Sequence, residues 1–206
     1  MMSVSLFERL QTILPQPPTH LIVDQPLFWG EKWPKAQVLG SVESLADGDE
    51  PVLLLYQARR PPRPRVLWSL FTDCLPPSVS LCVVVPIVPG THRRGKKGDR
   101  VRAAGGYVNS LFRFHDDQHQ NWFSANQWQY DGQQAGWAVA ATYYESSRYD
   151  FYEWVAERPL ASQDVTRLQA LLLQAPKLAA EFLTPDQSGV KISFRLTDVI
   201  IVAHRI

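Results

Sequence analysis

The chain has 206 residues, with 21 Lys and Arg against 20 Asp and Glu and a formal net charge of +1; 45% of it is apolar and 20% charged. These proportions exclude a disordered, collagenous or coiled-coil chain, and the length suffices to bury a core without disulfide or metal staples. A total charge near zero says nothing of its distribution, and the distribution is uneven.

The first predicted element is a helix. Ser5-Leu6-Phe7-Glu8 fits a capping box, in which the serine accepts from the backbone three residues on and the glutamate reaches back. Leu6, Leu10, Ile13 and Leu14 recur at helical spacing until Pro15. No basic segment followed by a long apolar one opens the chain, so a cytoplasmic protein without a secretory leader is expected. His20-Leu21-Ile22-Val23-Asp24 reads as a short strand. Residues 25–50 set Trp29, Trp33, Leu39, Val42 and Leu45 among turn formers and receive no assignment. Val52–Tyr56, Val66–Phe71 and Leu81–Val85 are continuous apolar runs, as expected for strands covered on both faces.

Two basic stretches separate these runs. Ala58-Arg59-Arg60-Pro61-Pro62-Arg63-Pro64-Arg65 reads as an extended linker, because each proline disfavours helix at itself and at its predecessor. Gly90 to Arg102 carries Arg93, Arg94, Lys96, Lys97, Arg100 and Arg102 among glycines, and a flexible basic loop is expected at about 90–106. From Arg59 to Arg102, ten Lys and Arg face only Asp73 and Asp99, a net charge of +8, so the remaining residues carry −7. Gly90–Lys96 also matches G-x-x-x-x-G-K, but Lys97 stands where a phosphate loop needs Ser or Thr to hold magnesium. Nucleotide hydrolysis is therefore not expected. Pro76, Pro77, Pro86 and Pro89 interrupt the uncharged stretch around Cys74 and Cys82, so the sequence predicts no membrane span there and two buried free thiols.

From Tyr107 the pattern turns to alternation and aromatics, with fourteen of the 23 aromatic residues between Tyr107 and Trp154. This predicts an antiparallel meander, with a hairpin loop at His115–Asn121 and a tight turn at Asp131-Gly132. On a helix, His115 and His119 would share a face as metal ligands do; in a hairpin loop they are solvent-facing, and neither metal nor cofactor is expected. Ser162–Leu183 predicts a helix that Pro176 kinks or splits. Lys191–Thr197 alternates as a half-buried strand, and Val199–Val202 continues as a buried one. Asp198 and His204 would form a buried polar pair.

The fold expected from these elements is α+β: a single domain over 1–206, its sheet mixed or mostly antiparallel, with an N-terminal helix and a helix, kinked or split, near the C-terminus. The function expected is a non-enzymatic module that binds a polyanion, above all RNA or DNA. Arg93, Arg94, Lys96, Lys97, Arg100 and Arg102 would contact phosphates, assisted by Arg59, Arg60, Arg63 and Arg65, while Tyr107 and Trp122 stacked on bases. Two alternatives stand beside it. One is a subunit of an assembly whose basic loop docks on an acidic protein surface, and the other is a small enzyme with a carboxylate or histidine cleft built from Asp24, Glu145 or His204. The divided charge also suits self-association through opposite patches.

Overall fold

The computed structural model describes residues 4–14, 16–23, 31–39 and 53–206. Pro15, Asp24, Trp29, Val42, Leu45 and Val52, and the side chain of Ser5, fall outside the described set. The chain divides into two compact units, one of residues 1–86, 128–145 and 198–206, the other of 87–127 and 146–197. Among the described residues it forms seven strands and seven helices.

The first unit is built on buried strands. β1 (His20–Val23), β3 (Leu53–Gln57) and β4 (Ser80–Pro86) lie side by side and parallel, with β2 (Gln37–Val38) parallel to β1 on its other side. β7 (Lys191–Arg205) runs antiparallel to β4, and β5 (Trp137–Asp150) follows it, giving the order β2-β1-β3-β4-β7-β5. The sheet is thus mixed, as one expected form had it, but parallel pairing dominates. The helix α1 (Val4–Ile13) contains Ser5 in its first turn rather than before it. Leu6 and Leu10 of α1 share a core with Leu53 and Leu55 of β3 and Cys82 and Val84 of β4. On the alternate residues, Tyr56 meets Phe71 edge-on, ring centroids 5.4 Å apart. Both faces of β3 are covered, which is why its five residues are all buried.

Phe71 belongs to α2 (Pro64–Cys74), where a strand was expected over Val66–Phe71. Pro64 sits in the first turn, where its missing N–H costs nothing, and Leu67, Trp68 and Phe71 form a buried helical stripe. The indole N–H of Trp68 donates to the Trp128 carbonyl at 2.9 Å, and Trp137 donates to Thr72 Oγ1 at 2.9 Å. Gly132 lies within α4 (Ala125–Gln134), not in a hairpin turn. A Cβ there would come within 3.0 Å of the Trp68 ring.

The second unit is a helix-rich core. The first part of the meander expected from Tyr107 is α3 (Lys96–His115), with Ala104, Val108, Leu111 and Phe112 buried at spacings of three and four, while its alternating part from Trp137 is indeed a strand, β5. α5 (Phe151–Ala156), α6 (Ser162–Leu173) and α7 (Lys177–Leu183) contribute Phe151, Trp154, Leu168, Leu172 and Ala179 to the same core, with Ile192 and Phe194 from β7. Pro176 stands at the N-cap of α7 and splits the expected C-terminal helix in two. The short β6 (Asp186–Ser188) pairs antiparallel with the start of β7.

Candidate functional site

In the first unit, β1 has β2 on one side and β3 on the other, although the chain visits β2 before β3. The chain therefore turns outward in opposite directions from β1 and β3. In an open parallel sheet, ligands bind outside the carboxyl ends of the strands at that switch point. Two strands place polar chemistry there. β3 ends in Gln57, which lies in register between Val23 of β1 and Val84 of β4. Gln57 is only 4% exposed, and its carboxamide oxygen is buried with no hydrogen-bond partner among the described residues. An unpaired buried acceptor of this kind costs about 1–3 kcal/mol unless a donor reaches it.

Two residues on, Arg59 reaches Asp198, the partner of Pro86 at the carboxyl end of β4, with a guanidinium–carboxylate distance of 3.4 Å. Asp198 is buried, and burial pushes its carboxyl up from the ordinary value; Arg59 pulls it back down, while Glu145 pushes it up further. His204, the partner expected for Asp198, is instead exposed. Gln57, Arg59 and Asp198 thus form a polar cluster at the carboxyl edge of a sheet that is otherwise apolar.

The residues singled out in the sequence divide between the units. Arg59, Arg60, Arg63 and Arg65 belong to the first. Arg59 is held by Asp198, Arg60 is exposed, Arg63 precedes α2 and caps its first turn through its backbone carbonyl, and Arg65 is exposed on α2. Arg93, Arg94, Lys96, Lys97, Arg100, Arg102, Tyr107 and Trp122 belong to the second. The expected flexible loop is a loop only as far as Gly95, because Lys96 opens α3. Arg102 turns back on the loop, donating to the carbonyls of Thr91 at 3.2 Å and Arg93 at 2.9 Å and pairing with Asp99. Tyr107 donates its hydroxyl to the Leu171 carbonyl at 2.7 Å, and Trp122 is 6% exposed within the core.

Several titratable groups elsewhere have structural partners. His115, expected in a solvated loop, is buried and hydrogen-bonded to the Trp154 carbonyl at 3.0 Å. Asp150 caps α5 by accepting from the backbone of Tyr152 and Glu153, and Arg148 pairs with Asp186 at 2.8 Å. Burial lifts the Cys82 thiol to about 12, so it is inert. Among the described residues no group of three His, Cys, Asp or Glu could hold a metal ion, and no helix is long and apolar enough to cross a membrane.

No family model matches the sequence, and no curated protein matches it. Solved structures do. A candidate methyltransferase from Bacillus halodurans C-125 superposes with a TM-score of 0.77 at 14% identity, over 97% of this chain and 98% of the other. The YcgJ protein of Bacillus subtilis matches at 0.62 and 15% identity, over 90% of this chain and 81% of that one. A candidate sarcosine dimethylglycine methyltransferase from Galdieria sulphuraria gives 0.50 at 9% identity, over 96% and 85%.

The chain therefore has a mixed α/β fold resembling the Rossmann-like fold of methyltransferases, shared almost end to end with the first of these. That likeness overturns the reading of a non-enzymatic nucleic-acid-binding module, and the RNA- and DNA-binding assignments with it. The aromatic sheet beside a mobile basic loop, on which that reading stood, is mostly helical, with Trp137, Tyr143, Tyr144 and Tyr149 on the single strand β5, and the basic stretch runs on into the first turns of α3. Sequence reasoning missed Gln57. The available signal was a lone polar residue closing an apolar run, at the strand end where such a sheet binds its ligands.

Proposed function

We propose that this chain is an S-adenosylmethionine-dependent methyltransferase acting on a small molecule, with the cofactor held at the carboxyl edge of β1 and β3. The observation that carries the reading is the carboxamide oxygen of Gln57, buried without a partner among the described residues at the switch point of a methyltransferase-like sheet. Its chemistry fits the cofactor, which offers an adenine amine and a methionyl ammonium as donors to a fixed acceptor. The described residues supply no contradiction, although the sequence after β1, Asp24-Gln25-Pro26-Leu27-Phe28-Trp29-Gly30, has no glycine before Gly30. The close backbone approach that a glycine-rich turn allows is thus not provided in the usual way. Binding depends correspondingly more on side chains.

When bound, the cofactor supplies a methyl group activated on a sulfonium. The chain's own part is to bind and orient. Gln57 accepts a hydrogen bond in a water-poor setting, where it is worth more than at the surface. The Arg59–Asp198 pair keeps a charged group fixed beside it without leaving a bare carboxylate in the sheet.

Calorimetric titration with S-adenosylhomocysteine tests the proposal. The wild type should bind, and Gln57→Met, which keeps the volume and removes the acceptor, should bind at least about tenfold more weakly while its melting temperature holds or rises. A wild type that binds neither S-adenosylhomocysteine nor S-adenosylmethionine would overturn the assignment. Equal affinity in Gln57→Met would remove Gln57 from it.

A further inference from the structure

The segment joining β4 to α3 borders a pocket of about 200 Å³ in the second unit that methyl transfer, as assigned above, does not use. Its walls are backbone where glycines stand. A Cβ on Gly90 would lie 2.4 Å from the Cβ of Ser124, and one on Gly105 would lie 2.1 Å from the Pro89 carbonyl oxygen. These two glycines let loop and helix close on each other. Gly106 differs. It lines the pocket, and a Cβ there would meet no heavy atom within 4 Å, so the missing side chain is what leaves the space open.

The pocket is held in shape. Arg102 ties the loop to the helix through the Thr91 and Arg93 carbonyls. Asn109 fixes the Trp122 backbone from both ends of its amide, donating to the carbonyl at 3.0 Å and accepting from the N–H at 2.8 Å. Trp122 forms part of the lining. Thr91 Oγ1 accepts from the Arg93 N–H and Ser124 Oγ from the Gln127 N–H, so each hydroxyl keeps its own hydrogen to donate.

Arg102 is the one Lys or Arg in the lining, and the loop and first turns of α3 that carry it are basic beyond the lining. Arg93, Arg94, Lys96, Lys97 and Arg100 are exposed, and among the described residues none of them forms an ion pair. Asp99, the carboxylate of this stretch, is taken by Arg102. A compact anion is what two hydroxyl donors and close backbone would recognise under the field of five cations on the adjoining loop and helix turn, and an indole in the lining suits an apolar body attached to it.

We propose that this pocket binds a small organic phosphate, its phosphate at the Thr91 and Ser124 hydroxyls within the field of the adjoining basic loop and its apolar part against Trp122. Lys97 occupies the place where a magnesium-binding hydroxyl would stand, so the site holds the phosphate without hydrolysing it. The assignment stands on the second unit alone and is independent of the reading of Gln57.

An amide-resolved NMR titration with phenyl phosphate tests it, with benzyl alcohol and inorganic phosphate as comparison probes. Phenyl phosphate should shift the signals of Gly90, Gly105, Gly106 and the Trp122 indole. Gly106→Leu, which fills the opening with a better helix former, should weaken binding at least about tenfold with a spectrum still dispersed. Replacing Arg93, Arg94, Lys96 and Lys97 together by Ala should do the same at low salt. Absent shifts, or shifts unchanged in Gly106→Leu, would overturn the site. Benzyl alcohol binding as tightly as phenyl phosphate would overturn its anionic character, and inorganic phosphate doing so would overturn the role of Trp122.

Discussion

Asp198 in the first unit and His115 in the second are titratable side chains buried to the same depth and treated differently. Both are 6% exposed. Asp198 keeps a counterion, drawn from Arg59 at a sequence separation of 139 residues. His115 has none within hydrogen-bonding distance among the described residues. Its ring stacks on Trp154, centroids 4.0 Å apart and planes 28° apart, while Nε2–H donates to the Trp154 carbonyl. Burial consequently raises the carboxyl and lowers the imidazole, and in each case it is the largest cause. The end of a sheet that carries a charge recruits an opposite one; a helical core with aromatic rings holds its histidine neutral.

The comparison breaks most severely at Arg59. Asp198 has a folded pKa above its unfolded value of 3.8, so the folded state binds the proton more tightly. Its stabilising contribution is present below that value and is lost as pH rises through it. Arg59 limits that loss. Arg59→Ala leaves the carboxylate buried without its cation and should cost about 3 kcal/mol at pH 7. The cost should shrink as pH falls from 7 to 4, because the raised Asp198 carboxyl takes up a proton and no longer needs its cation. Urea denaturation at the two pH values checks this, and adding Asp198→Asn should recover most of the loss. An equal cost at both pH values would mean that Arg59 acts through packing alone.

His115 offers the opposite sign and a smaller effect. Its folded pKa lies below 6.5, so the unfolded chain takes the proton first, and stability falls as pH drops through 6.5. His115→Phe keeps a ring on Trp154 but leaves the carbonyl without its donor, at a cost of about 1–2 kcal/mol at pH 8. The variant has no proton to take up, so its deficit should narrow between pH 8 and pH 5. Thermal unfolding across that range reads it. A deficit that widens towards pH 5 would mean that the protonated ring is the form the core favours.

The same contrast explains what the sequence made legible. Strands β1, β3 and β4 are buried on both faces, so their runs of Leu, Ile and Val announce them wherever they sit. The same rule fails at Val66–Phe71, because a short apolar run has no period to distinguish helix from strand. There the neighbouring Pro64 was the better guide. Around Tyr107, aromatics two apart imitated a strand, while Val108, Leu111, Phe112 and His115 carried the helical spacing beneath them. The candidate site was hidden for another reason. Arg59 and Asp198 were both visible, but their pairing is set by tertiary structure, and nothing local in the chain joins residues so distant.

The smallest effect tests whether α3 is helical through the stretch that reads as a loop. Gly105 and Gly106 are adjacent and chemically identical, yet the Pro89 carbonyl closes one and open space surrounds the other. Neither has a positive φ. At Gly106 an alanine therefore meets no steric penalty, narrows the unfolded ensemble and adds helix propensity, so Gly106→Ala should stabilise the protein by roughly 0.5–1 kcal/mol. The urea midpoint should rise at an unchanged slope, since no surface is gained or lost on unfolding beyond a methyl group. The companion Gly105→Ala must push a Cβ against a backbone oxygen and should destabilise. A flexible loop over 90–106 would treat the two alanines alike, so opposite signs at neighbouring positions are the signature of a helix packed on one side, and equal signs would sink it.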